Sequence, residues 1–197
     1  MRIKFLLWMP MLLLAGRAVR AQNSDLGFLV GISAAPSSSA TNGVASESVG
    51  VSFAINYAVQ LKEARAGQLF LELPLLFDVN TVNTATPMSA SSIDRTEIYF
   101  TPGVRWKFTP AARVSFYLCG GGGVAGVVRG DNVSTANMAY SDLRGGITVA
   151  IGPGGGVDFR FTRLLSLRAE GRDLITAGTI AGAHNHGFFL FGIAFHF

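Results

Sequence analysis

Gly187-Phe188-Phe189-Leu190-Phe191-Gly192-Ile193-Ala194-Phe195-His196-Phe197 is the stretch that decides the fold. Phe189, Phe191, Ile193, Phe195 and Phe197 recur at every second position, and the sequence stops on the last of them. A period of two puts all five side chains on one face of a strand. A wholly apolar face carried to a terminus is odd for a soluble protein, whose ends fray into water. It suits a final strand that closes a barrel in lipid, with an aromatic residue at the membrane interface.

The same alternation recurs upstream. Leu26, Phe28, Val30 and Ile32 form one apolar face, and Val49, Val51, Phe53, Ile55 and Tyr57 form the next. Leu69 to Phe77 alternate with Glu72 and Asp78, and Ile98, Phe100, Val104, Trp106 and Phe108 alternate with Glu97, Arg105 and Lys107. Val114, Phe116 and Leu118 follow, then Ile147 to Phe161 opposite Asp158 and Arg160, then Leu165, Leu167 and Ala169 opposite Arg168 and Glu170. With the terminal segment these make eight predicted strands, each near the ~9–11 residues that cross a bilayer at a tilt.

Long polar stretches (35–48, 79–94, 130–141, 175–186) take turns with tight ones (63–67, 109–112, 162–164). Long connections outside and short ones inside are the habit of outer-membrane barrels, and an even strand count places four long loops on one side. Pro74, Pro102 and Pro153 fall within predicted strands. Each removes a ladder hydrogen bond, so a bulge or a strand end is expected at each.

At the other end, Arg2 and Lys4 precede an apolar run from Phe5 to Gly16, and Val19 and Ala21 are the small residues a signal peptidase reads. Residues 1–21 are therefore expected to be a signal peptide and 22–197 one barrel domain. The whole chain has Lys+Arg 16 against Asp+Glu 12. Four of the bases (Arg2, Lys4, Arg17, Arg20) lie in the signal, which leaves 12 against 12 and removes the basic excess that would hint at nucleic acid. Cys119 is the single cysteine and has no internal disulfide partner.

The eight alternating segments, the loop rhythm and the ending Ile193-Ala194-Phe195-His196-Phe197 resemble the small eight-stranded outer-membrane β-barrels, of the kind formed by the OmpA transmembrane domain and by OmpX. The resemblance covers all of 22–197. It implies an all-β, antiparallel up-and-down transmembrane barrel in the bacterial outer membrane. It implies as partners outer-membrane lipid, periplasmic chaperones and an insertion machinery that reads Phe195 and Phe197 as an assembly signal, and an extracellular ligand if the loops bind one. It implies no cofactor and no nucleic acid. For activity it is weak, because one fold hosts unrelated functions.

Candidate chemistry starts with the polar register. Glu72, Glu97, Arg105, Asp158, Arg160, Arg168, Glu170 and Arg172 share it. At mid-bilayer a lipid-facing Arg costs ~2–4 kcal/mol, so these charges are expected to face inward. An eight-stranded barrel has an interior just wide enough for side chains. A plug of mutually paired charges is therefore expected, with a structural or surface-interaction role. A narrow pore for small solutes is the alternative, and a lipid A-modifying barrel enzyme comes after it.

Catalytic, cofactor and metal sites are not expected, and the chain is read as a non-enzyme. His184-Asn185-His186 places two rings on one side of a strand, as a metal could use, but no third ligand is adjacent. Lipid A-modifying relatives use His with Ser or acidic partners, whereas His186 is followed by Gly187-Phe188. His196 is expected at the inner rim without a catalytic role. The runs Gly120–Gly123 and Gly152–Gly156 lack the following helix that a phosphate cradle needs, and close packing is expected of them instead. A soluble calycin-like barrel, with the apolar face turned inward, is the rival fold.

Overall fold

The computed structural model describes residues 24–35, 48–86, 89–110, 112–135, 138–177 and 184–197. The expected signal peptide lies outside them. The elements are β1 (Ser24–Ala35), β2 (Ser48–Ala64), β3 (Gly67–Thr86), β4 (Ser89–Phe100), β5 (Gly103–Lys107), β6 (Val114–Thr135), β7 (Met138–Arg160), β8 (Leu165–Ala177) and β9 (His184–His196). All pairings are antiparallel, and β1 pairs with β9, as in Val30 opposite Phe191, so the sheet closes on itself. β4 and β5 pair with the same two neighbours, β3 and β6. They are halves of one broken stave, so nine segments make a ring of eight. No described helix is long and apolar enough to cross a membrane.

Pro102 sits at the break between β4 and β5, as expected of a residue without an N–H. Pro74 and Pro153 do not end strands, and the ladders around them keep register. In an antiparallel sheet each N–H serves one neighbour only. Pro74 stays opposite Asn56 on β2, and its other flank faces the gap at 101–102. Pro153 stays opposite Gly120 on β6 while the β7–β8 ladder skips from Ile151 to Gly154. One interrupted seam is enough, so the expected bulges are absent there. The shift in the ladder lies instead at Gln60/Lys62.

The apolar register faces outward: Phe189, Phe191 and Phe195 are exposed, as are Val30, Phe53, Phe100, Val149 and Leu167. Glu72, Arg168 and Glu170 are buried inside. This rejects the soluble rival, since the strands turn their apolar register to the surroundings while the buried ions lie inside the ring. Phe195 pairs with Leu26 and Leu165, and Ser24 and Phe197 exchange backbone hydrogen bonds of 2.8 and 3.0 Å.

Two of the four expected long loops are corrected. β3 and β4 pair out to Thr86 opposite Ser89, and β6 and β7 out to Thr135 opposite Met138. The polar stretches 79–94 and 130–141 are thus mostly hairpin. β4 also pairs with β6 out to Ser89 opposite Thr135. β3, β4, β6 and β7 therefore rise past the ring as one four-stranded sheet, since β2 leaves β3 at Asn80 and β8 leaves β7 at Val149.

The glycine runs continue as strands β6 and β7, and close packing accounts for Gly121, Gly123, Gly152 and Gly154 to Gly156, whereas a β-carbon on Gly120 would meet nothing. A β-carbon on Gly156 would overlap the Tyr117 ring and the Ala169 carbonyl oxygen, whereas one on Gly171 would meet nothing. Gly156→Ala is expected to destabilise the barrel by ~1–3 kcal/mol through overpacking, and Gly171→Ala to be close to neutral. Denaturant unfolding of the two variants in micelles checks the contrast, and equal stabilities would refute it.

Candidate functional site

Inward positions stack three layers along the axis. Read from the turn end, β3 presents Phe70, Glu72, Pro74, Leu76, Asp78 and Asn80 in order, all buried. β8 presents Ser166, Arg168, Glu170, Arg172, Leu174 and Thr176. An ionic layer therefore lies below an apolar one, and a second polar cluster lies above both.

The ionic layer holds four cations, Arg105, Lys107, Arg168 and Arg172, and four carboxylates, Asp25, Glu72, Asp158 and Glu170. Arg105 reaches Glu72 at 2.6 Å, and Arg172 bridges Glu72 at 3.0 Å and Glu170 at 2.8 Å. Asp158 accepts from Lys107 Nζ at 2.6 Å and Arg168 Nε at 2.7 Å, and Arg168 also reaches Asp25 at 3.2 Å. Tyr117 donates its hydroxyl to Glu170 at 2.7 Å, and its ring lies under the Arg105 guanidinium at 4.8 Å. Asn56 Nδ2 donates to the same Glu170 oxygen at 3.1 Å. Apart from Arg172 with Glu170, both on β8, the pairs run between staves, so the layer cross-links β1, β3, β5, β7 and β8.

Six residues expected in an interior network (Glu72, Arg105, Asp158, Arg168, Glu170, Arg172) meet here. Glu97 does not; it belongs to the upper cluster. Arg160 is a correction: it lies half-buried at the turn end, its N–H bonded to the Arg113 carbonyl at 2.8 Å, with no ion pair among the described residues. The last inward position of β7 is too near the rim to meet the layer. Asp25, Lys107, Asn56 and Tyr117 were not expected. Lys107 shares the register of Arg105 and was legible; the other three carry no signal beyond position in a strand.

At the turn-end rim, His196 Nδ1 lies 2.6 Å from Asp25 Oδ1 and its Nε2 lies 2.8 Å from Ser166 Oγ. The order hydroxyl, imidazole, carboxylate is that of an activated nucleophile. Ser166 is 0% exposed, which leaves a carbonyl carbon no approach to the hydroxyl. The trio clamps β1, β8 and β9 where the ring closes.

Above the ions, Leu29, Leu76, Leu174, Phe188 and Leu190 pack with Tyr99 and three alanines into an apolar layer. On it rests the upper cluster of Asp78 (β3), Glu97 (β4) and His186 (β9), whose possible ligand atoms lie within 4.8 Å of one another. β9 and β4 stand on opposite sides of the ring, so His186 reaches Glu97 across the lumen, Nδ1 to Oε2 at 3.1 Å. Tyr99 donates to Glu97, Arg95 lies against its other oxygen, and Ser52 donates to Asp78 Oδ1 at 2.7 Å. Asp78 Oδ2 and His186 Nε2 have no hydrogen-bond partner.

No protein-family model and no curated protein matches the sequence. Solved structures do match the fold. Neisserial surface protein A is 14% identical with a TM-score of 0.54, covering 88% of this chain and 97% of its own. Ail, the attachment invasion locus protein of Yersinia pestis, solved with the heparin analogue sucrose octasulfate, is 11% identical with a TM-score of 0.50, covering 89% and 99%. The outer membrane protease OmpT of Escherichia coli is 7% identical with a TM-score of 0.56, covering 91% and 99%. The architecture thus serves a protease as well as surface proteins, and it does not decide between catalyst and non-catalyst. A closed antiparallel ring of eight staves, apolar outside and ionic inside, has the fold of the small bacterial outer-membrane β-barrels.

Proposed function

We propose that this protein is a surface-acting outer-membrane barrel whose lumen is sealed by ion pairs, and that it neither conducts solutes nor catalyses a reaction. The balanced ionic layer carries the reading: four cations and four carboxylates link five staves across a lumen that side chains alone suffice to fill. What such a protein offers its surroundings is its outside, and the four-stranded sheet above the ring is part of that outside. The assembly-signal role of Phe195 and Phe197, and the chaperone and insertion-machinery partners, belong to the same reading.

Purified protein in planar bilayers is expected to give no steady conductance. Sustained, ion-selective openings would replace the plug with the narrow pore. Lipid A from cells with and without the protein should have the same mass spectrum; altered acylation would replace this reading with the enzyme.

A further inference from the structure

The two polar layers of the lumen differ in charge balance. Every carboxylate of the ionic layer meets a cation. In the upper cluster, among the described residues, two carboxylates face one guanidinium, and that guanidinium, Arg95, lies against Glu97. Asp78 is 1% exposed and accepts a hydrogen bond from the Ser52 hydroxyl. No cation reaches it among the described residues. A buried carboxylate so placed costs several kcal/mol unless something neutralises it.

We propose that Asp78, Glu97 and His186 form a binding site for one divalent transition-metal cation of the Zn2+ class. The donor set of one imidazole and two carboxylates suits such ions. A tetrahedral centre with bonds of 2.0–2.2 Å holds its donors roughly 3.4 Å apart. His186 Nδ1 and Glu97 Oε2, 3.1 Å apart, can share an ion once Nδ1 carries no proton, and the possible ligand atoms of all three residues lie within 4.8 Å of one another.

The surroundings resemble an outer shell that orients ligands. Ser52 holds one oxygen of Asp78 and leaves Oδ2 unpartnered, and the Tyr99 hydroxyl fixes Glu97. Phe188 packs beside the His186 ring at 6.2 Å and edge-on to Tyr99 at 5.8 Å, which floors the site with apolar surface. Arg95 opposes a cation. Even so, among the described residues the two carboxylates outnumber the one guanidinium. The competing way to neutralise Asp78 is a bound proton, which retains no metal.

The test is Zn2+ titration of the folded full barrel in micelles, with Asp78→Asn and His186→Gln alongside and His196→Gln as the control outside the site. Heat-modifiable gel mobility reports folding. We expect one Zn2+ per wild-type and per His196→Gln barrel, and at least tenfold weaker binding in each folded site variant. X-ray absorption at the zinc edge of the wild type should show nitrogen and oxygen donors and no sulfur. This second readout decides the matter even where a variant does not fold. An absence of bound Zn2+, binding that both folded variants keep, or a shell of oxygen alone would overturn the proposal.

Discussion

Glu72→Ala is expected to destabilise the barrel by roughly 3–5 kcal/mol, the usual cost of removing one partner from a buried ion pair. Glu72 accepts from two guanidiniums, Arg105 at 2.6 Å and Arg172 at 3.0 Å. Without it Arg172 keeps Glu170 at 2.8 Å, but the carboxylate left to Arg105 among the described residues is Asp25 at 3.5 Å. Four cations then face three carboxylates in a space that water enters poorly. Glu72→Gln keeps the volume and removes the charge, and it should lose most of the same amount. Denaturant unfolding in lipid vesicles, followed by Trp106 fluorescence, measures both variants. A loss under 1 kcal/mol for each would mean that the layer is filler and not a set of cross-links.

Phe191→Arg should cost ~2–4 kcal/mol for a different reason. Phe191 is 65% exposed, midway along β9, between Val30 on β1 and Ala169 on β8. That exposure is to hydrocarbon, where a guanidinium loses its water. Phe161→Arg, in the turn after β7 and 57% exposed, lies at the rim and should cost ~0–1 kcal/mol. The contrast matters more than either value. If both substitutions were equally harmless in vesicles, the outer face would not be in lipid.

These two experiments also divide what was legible in the sequence from what was not. The outer face is readable because lipid requires every outward position to be apolar, so Phe189, Phe191 and Phe195 announce themselves by period alone. The inner face has no such uniform requirement. Leu29, Leu76, Leu174, Phe188 and Leu190 sit on the same register as the ions, and alternation does not distinguish an apolar layer from a polar one there.

Partnerships in the lumen were less legible still. Register gives the side a residue faces, but neither its height along the axis nor what lies opposite. Arg168 and Asp25 are 143 positions apart, and Asp78, Glu97 and His186 come from three strands. The extended hairpins were misread because strands beyond the bilayer need no apolar face, so their composition matches that of loops. Proline was misread too: Pro74 and Pro153 silence one seam each and leave the other intact.

The pairing of β1 with β9 has a consequence for the order of events. The first strand cannot find its second partner until the last one has been delivered, so closure waits on the contact of greatest sequence separation. Until then the growing sheet carries two raw margins of unsatisfied amides and carbonyls, open to adhesion with any neighbour in the same condition. The seam that finishes the cylinder is thus also its period of greatest vulnerability, and speed of delivery guards it better than any added stability in the finished ring.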